Sequence, residues 1–340
     1  MAILDTLRRP LGTLRLSVTD RCNLRCHYCM PEQQYVWLPQ RDVLSFEEIG
    51  RLADLFAEVG VDRVRLTGGE PLLRRDLPNL VALLAARPWL RDLALTTNGV
   101  YLADLARDLK RAGLHRVTVS LDTLRRDRFQ RLARIDALPR VLAGIDAVCR
   151  TGFPGLKIDA VVTRGDNDDE LVELVEFGRQ INAEVRFIEY MDVGGATRWR
   201  PEAVVSRQEM LDQLAAHYGP IARLEQSSSA PATRFRLPDG RTFGIISSTT
   251  QPFCRTCDRA RLTADGMLLL CLHAQLGTNL RHPLRAGASR EALLQLIRTA
   301  WTGRADRGAE GRLAMRERGP RSATSGANKD VHQEMHTRGG

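Results

Sequence analysis

The chain has 340 residues, 43% of them hydrophobic and 27% charged, the proportions of an ordinary globular protein rather than a disordered or fibrous one. Its net charge of +9 allows an anionic small molecule, a nucleic acid or a membrane surface as partner and does not choose among them. No apolar run reaches the ~18 residues that span a bilayer, and the chain opens Met1-Ala2-Ile3-Leu4-Asp5 without a secretory segment, so a reduced, cytoplasmic setting is expected, in which clustered cysteines bind metal more often than they pair.

Short β-rich runs alternate with amphipathic helical stretches as far as residue 190. Strands are predicted at 14–19, 63–67, 93–97, 116–120, 157–162 and 185–189, with helices near 45–59, 76–86, 101–112, 137–151 and 168–181. Ser45 with Glu48 makes a capping box, and Gly60, Gly113 and Gly152 stand where helix C-terminal caps belong. Repeated strand–helix units imply a parallel sheet with helices outside, and six of them imply an α/β fold of the incomplete, TIM-type (βα)6 barrel kind. Parity divides each strand into two faces. One is apolar (Leu16, Val64, Leu66, Val117, Val119, Ile158, Phe187). The other is polar and largely basic (Arg15, Arg63, Arg65, Arg116, Lys157, Asp159, Arg186). A fully buried parallel sheet is apolar on both faces, so the basic face suits a lumen built for a large anion, with an antiparallel sheet wet on one side as the competing reading. Only three lysines occur, and one of them, Lys157, lies in this face.

Beyond Tyr190 the expected order is a loop, a helix at 206–216, a hairpin across Pro238-Asp239-Gly240, a second cysteine group within 254–273 and a helix at 289–300. Residues 302–338 are rich in Gly, Arg, Ala and Ser and are expected to be mobile unless something docks them. The resulting domain plan is a barrel at 1–193, a C-terminal α+β region at 194–301, and a mobile basic tail at 302–340 ending in Gly-Gly.

Cys22, Cys26 and Cys29 form C-x3-C-x2-C directly after the first strand. Three thiolates at this spacing suit three irons of a 4Fe-4S cubane and leave the fourth open to a ligand, whereas zinc would want a fourth protein donor. Cys254, Cys257 and Cys271 are a second trio, which by themselves could be a zinc knuckle lacking one ligand or a second cluster. Cys149 lies in an apolar helical stretch and is expected to be core. Gly68-Gly69-Glu70-Pro71 ends the second strand, where glycines let backbone approach a ligand closely.

The cysteine triplet with Tyr28 before its last member, together with the GGEP segment, resembles the radical S-adenosylmethionine superfamily. The segments LRLSVTDRCNLRCHYCMP (14–31), RLTGGEPLLRRDL (65–77), LTTNG (95–99), VSLD (119–122), RFIEYMDVG (186–194) and CRTCDRARLTADG (254–266) together resemble the GTP 3′,8-cyclases of molybdenum cofactor biosynthesis, in order and over nearly the whole chain. That resemblance implies two 4Fe-4S clusters, one on Cys22, Cys26 and Cys29 and one on Cys254, Cys257 and Cys271. It implies S-adenosylmethionine held by Tyr28, Gly69, Ser120 and Met191. It places GTP against Arg15, Arg65, Thr96, Lys157, Arg259 and Arg261, with Arg186 as a further member. Arg259, Arg261, Gly339 and Gly340 are implied active-site contributors, although Arg338 stands where the family commonly has an apolar residue. The implied reaction is reductive cleavage of the cofactor, hydrogen abstraction from the ribose C3′ of GTP and attack of that carbon on guanine C8. The implied partners are a reductant such as flavodoxin or ferredoxin and, downstream, cyclic pyranopterin monophosphate synthase, with no nucleic acid or membrane and a monomer or homodimer as the assembly. Competing readings are a radical S-adenosylmethionine enzyme that modifies peptides and a zinc-containing nucleic-acid binder.

Overall fold

A computed structural model describes residues 2–32, 34–193, 199–225, 229–315, 332 and 334–339. Its strands are β1 (Thr13–Ser17), β2 (Arg63–Thr67), β3 (Asp92–Thr97), β4 (Arg116–Ser120), β5 (Lys157–Val162), β6 (Glu184–Glu189), β7 (Ala222–Arg223), β8 (Thr233–Arg236), β9 (Thr242–Ile246), β10 (Arg259–Leu262), β11 (Met267–Leu269) and β12 (Thr278–Asn279). The helices are α1 (Phe46–Glu58), α2 (Leu77–Ala85), α3 (Leu102–Arg111), α4 (Arg126–Ala133), α5 (Leu138–Thr151), α6 (Leu171–Gln180), α7 (Arg207–Tyr218), α8 (Arg281–Arg285), α9 (Arg290–Thr302), α10 (Gly308–Leu313) and α11 (Met335–Arg338).

The twelve strands of the described residues join one mixed sheet in the order β12-β11-β10-β1-β2-β3-β4-β5-β6-β9-β8-β7. Strands β1 to β6 pair in sequence and in parallel, each reached through a helical crossover, as parallel pairing requires. The parallel part is wider than the six strands expected from sequence. Strand β10 adds in parallel to β1 and β9 adds in parallel to β6, although both arrive late in the chain. Antiparallel strands β11 and β8 then extend the two ends.

The apolar strand face meets the helices as the parity reading requires. Leu16, Val64, Leu66, Val117, Val119, Ile158 and Phe187 form one core with Leu52 and Phe56 of α1, Leu80 and Leu84 of α2, Leu109 of α3, Val148 of α5 and Leu174 of α6. The capping box at α1 is made: the Glu48 amide donates to Ser45 Oγ at 3.2 Å, and the Ser45 amide donates to the Glu48 carboxylate at 2.7 Å.

Two local expectations need correction. Cys149 is not core: it lies on the exposed side of α5, which buries Val141, Ile145 and Val148 instead. Helix α4 is absent from the sequence pattern, because its eight residues RDRFQRLA carry only Phe129, Leu132 and Ala133 inward. Within 302–338, residues 308–313 form α10 and Met335, His336, Thr337 and Arg338 are buried. No helix among the described residues is long and apolar enough to cross a membrane.

Candidate active site

The polar strand face lines a cavity of about 410 Å³, to which β1, β2, β3, β4, β5, β6 and β10 all contribute. Strand register sets its chemistry. Arg15 pairs with Arg261 on one side and Arg65 on the other, so three guanidinium groups stand abreast on β10, β1 and β2. Thr118 pairs with Thr96 and with Lys157, which continues the wall through β3, β4 and β5. One Nη of Arg65 donates to Thr96 Oγ1 and Thr118 Oγ1, each at 3.2 Å.

So many buried cations depress one another. Burial, followed by the charges of Arg261, Arg65 and Arg259, holds the Arg15 guanidinium well below its usual range. Burial lowers Arg65 and Arg261 to about 10, with Arg259 adding to the effect on Arg261. Burial and the charge of Arg186 lower Lys157 to about 8. An anion entering here relieves that repulsion, and guanidinium forks match phosphate oxygens.

The cavity has two chemically distinct ends, fixed by strand direction. The loop after β1 carries Cys22, Cys26 and Cys29, all of which line the cavity, at the strands' C-terminal edge. Two carbonyls at the end of α4 hold this loop: Leu132 accepts from the His27 amide at 3.1 Å and Ala133 from the Arg25 amide at 3.0 Å. Gly69 follows β2 at the same edge. A Cβ there would lie 2.3 Å from the Arg21 carbonyl oxygen, so only glycine lets the two loops pack this closely. Tyr28, Ser120 and Met191 also line this end, and the Tyr28 hydroxyl donates to Asp122 at 2.8 Å. His27 faces Asp166 at 3.4 Å. Burial pushes the Cys22 thiol up to about 11, with Glu70 adding to it, and raises Cys26 and Cys29 as well. Thiolates here lack a nearby excess of positive charge, which iron ions provide.

Cys254 and Cys257 precede β10, and Cys271 follows β11, which runs antiparallel to it. The second trio therefore sits at the strands' N-terminal edge. With a rise of ~3.3 Å per residue, five-residue strands separate the two edges by roughly 16 Å. The second trio stands behind the wall, which its neighbours Phe253 and Leu272 line. Burial opposes ionisation of Cys257, but the charges of Arg259 and Arg304 outweigh it and hold that thiol at about 7. Burial raises Cys254 and Cys271. No three His, Cys, Asp or Glu side chains among the described residues converge on one point suited to a single ion. A cubane takes each thiolate on a different iron, so its ligands surround a volume instead of meeting at a point.

Every sequence-predicted residue of the two small-molecule sets lines the one cavity: Tyr28, Gly69, Ser120 and Met191 at the C-terminal edge, and Arg15, Arg65, Thr96, Lys157, Arg186, Arg259 and Arg261 further in. Gly339 reaches the same wall. Its carbonyl accepts from Arg15 Nε at 3.0 Å and from an Arg261 Nη at 2.6 Å. Arg338 is buried and donates to the Leu272 carbonyl at 2.6 Å. Gly340 lies outside the described residues. The sequence pattern assigns no role to Asp122, nor to Asn98, whose amide nitrogen lies 3.9 Å from Cys22 Sγ. Both stand at strand ends within the VSLD and LTTNG segments, and that position is the available signal.

Residues 16–178 match the Radical SAM superfamily model, and residues 183–310 match the Molybdenum Cofactor Synthesis C model. The fold resembles that of Streptococcus suis SuiB, solved bound to S-adenosylmethionine, with a TM-score of 0.61 at 16% identity over 90% of this chain and 68% of that one. The chain is 57% identical to GTP 3′,8-cyclase 1 of Mycobacterium tuberculosis, covering 99% of this chain and 95% of that protein. It is 56% identical to GTP 3′,8-cyclase 3 of Mycobacterium bovis over 99% and 90%, and 43% identical to the GTP 3′,8-cyclase of Aquifex aeolicus over 92% and 96%. At this identity, along nearly its whole length, the chain belongs to the GTP 3′,8-cyclase family of radical S-adenosylmethionine enzymes.

Proposed function

We propose that the chain cyclises GTP to (8S)-3′,8-cyclo-7,8-dihydroguanosine 5′-triphosphate, the first step of molybdenum cofactor biosynthesis, in an incomplete barrel that holds a 4Fe-4S cluster at each end. One observation carries this reading. The two cysteine trios lie at opposite edges of one parallel sheet, with a register-matched row of Arg261, Arg15 and Arg65 between them.

Cys22, Cys26 and Cys29 hold the first cluster, and Tyr28, Gly69, Ser120 and Met191 contact S-adenosylmethionine. Cys254, Cys257 and Cys271 would hold the second cluster, which would supply an iron site with no protein ligand for the substrate. When bound, the first cluster and S-adenosylmethionine supply the radical chemistry. The protein's own residues do the placing. Asp122 fixes the Tyr28 hydroxyl, and the Leu132 and Ala133 carbonyls fix the backbone of the first cysteine loop. Arg15, Arg65, Lys157, Arg186, Arg259 and Arg261 bind the triphosphate and Thr96 assists, while Gly339 stands against Arg15 and Arg261 at the wall. The wall fixes the bound groups against one another, and an error of ~1 Å in placement is costly. A flavodoxin or ferredoxin supplies the electron, and cyclic pyranopterin monophosphate synthase takes the product.

Anaerobic reconstitution tests the reading. Deoxyadenosine formation should depend on GTP, and iron should approach about eight per chain for two cubanes. Cleavage of S-adenosylmethionine that proceeds with a peptide and ignores GTP would overturn the assignment.

A further inference from the structure

The second cysteine group has a charged support that no part of the proposed reaction uses. Arg304, at the end of α9, is buried to 2% exposure, and its guanidinium lies 4.5 Å from the centre of the Trp301 indole. Its Nη1 donates to the Cys257 carbonyl at 2.9 Å, its Nη2 to Cys257 Sγ at 3.4 Å, and its Nε to Asp306 at 3.2 Å. Asp5 stands 3.8 Å from the same guanidinium and pairs with Arg9 at 2.5 Å. Arg9 in turn donates to the Cys254 carbonyl at 2.9 Å. Arg9 Nη2 is buried and meets no acceptor among the described residues. Two guanidinium groups, fixed by Asp5, thus grip both arms of the Cys254–Cys257 turn from behind. Neither lines the cavity, so neither is placed to touch GTP.

We infer that Arg304 is a positioning residue for the second iron–sulfur cluster, raising its reduction potential by donating to the Cys257 sulfur and by standing as a fixed positive charge beside it. The inference rests on the proposed second cluster. Its physical basis is simple: reduction adds negative charge, part of which falls on the ligating sulfurs. A hydrogen-bond donor and a buried cation there stabilise the reduced form more than the oxidised one. Burial keeps water from screening the effect. The indole, Asp5 and Asp306 leave the guanidinium little freedom to turn away.

The test is potentiometric titration followed by EPR on anaerobically reconstituted native protein and on its Arg304→Gln and Arg304→Lys variants, with iron and sulfide counted in each. Native protein that binds only about four irons removes the second cluster, and the functional reading fails with it. With about eight irons bound, Arg304→Gln should lower the ratio of reduced to oxidised second cluster about tenfold at a fixed potential, ~59 mV for a one-electron couple. The first cluster should stay where it is. Arg304→Lys keeps the charge and loses the fork, so its shift should be smaller. If Arg304→Gln loads poorly while Arg304→Lys loads fully, the lysine variant carries the test and must still shift downward. Full loading with an unchanged second potential overturns the inference. Equal shifts in both clusters, or loss of the second cluster from both variants, also overturns it, since either reports a general structural defect.

Discussion

Lys157 shows how one side chain's surroundings set a measurable pH limit. Burial and the charge of Arg186 lower it to about 8, against the partial compensation of Glu184 at 3.7 Å. Below that pH the ammonium is present for a phosphate; above it the charge is lost until a bound anion restores it. The KM for GTP is therefore expected to rise as pH climbs past 8. A charge-assisted hydrogen bond contributes about 1.5–3 kcal/mol, so Lys157→Met should raise KM by about tenfold or more at neutral pH and flatten that rise. Steady-state kinetics between pH 7 and 9 check this, and an unchanged alkaline limb in the variant would remove Lys157 from the substrate site. The linkage to folding has the opposite sense. The unfolded lysine, near 10.5, holds its proton more tightly than the folded one, so the ligand-free protein gains stability from this group as pH rises from about 8 to 10.5.

Among the elements, some are legible in the sequence and others are not, for reasons of range. Alternation in Leu14-Arg15-Leu16 and Arg63-Val64-Arg65-Leu66 declares both the strands and their basic face. Arg259-Ala260-Arg261-Leu262 carries the same alternation, yet its place beside β1 is hidden, since a parallel partner so distant in the chain leaves no local trace. The same holds for β9, visible as half of a hairpin but not as the neighbour of β6. Helix α4 escapes the pattern because eight residues with three inward positions give too little periodicity, although it has a definite task at the first cysteine loop. Phe129 anchors α4 at 5% exposure, and truncating a buried phenylalanine costs about 3–5 kcal/mol. Much of that loss should appear locally. Phe129→Ala is expected to release iron from the first cluster faster than from the second, as read by iron retention and EPR after dilution. Equal retention in variant and native protein would mean that α4 does not hold the loop.

At the scale of the molecule, the same row of arginines meets the chain's two ends. Arg15 follows the first turn of the fold, Arg261 belongs to β10, and both donate to the carbonyl of Gly339. Ser17 Oγ donates to the Thr337 carbonyl at 3.1 Å beside them. Composition alone predicts a mobile tail, because few large apolar residues occur there. What docks these last residues includes main-chain carbonyl oxygen on guanidinium, His336 against Tyr35 and Trp37, and Arg338 on the Leu272 carbonyl, contacts that leave little hydropathy signal. Glycine at 339 is sterically required. Its φ is +64°, and a Cβ would lie 2.4 Å from a Thr67 methyl carbon and 2.8 Å from Ser17 Oγ. Gly339→Ala therefore has to lift the segment off the arginine row while leaving the core intact. Loss of the two charge-assisted hydrogen bonds, at about 1.5–3 kcal/mol each, should weaken its docking. GTP meets Arg15 and Arg261 freed of a competing acceptor, so its binding should hold or tighten. The closing contribution of the tail is lost, so turnover should drop by about tenfold or more if closure excludes water and fixes the reacting atoms. Equilibrium binding and single-turnover product formation separate the two effects, and the melting temperature of the variant should match that of the native protein. A variant that binds GTP more weakly and turns over at the native rate per bound substrate would instead make the tail part of the binding surface alone.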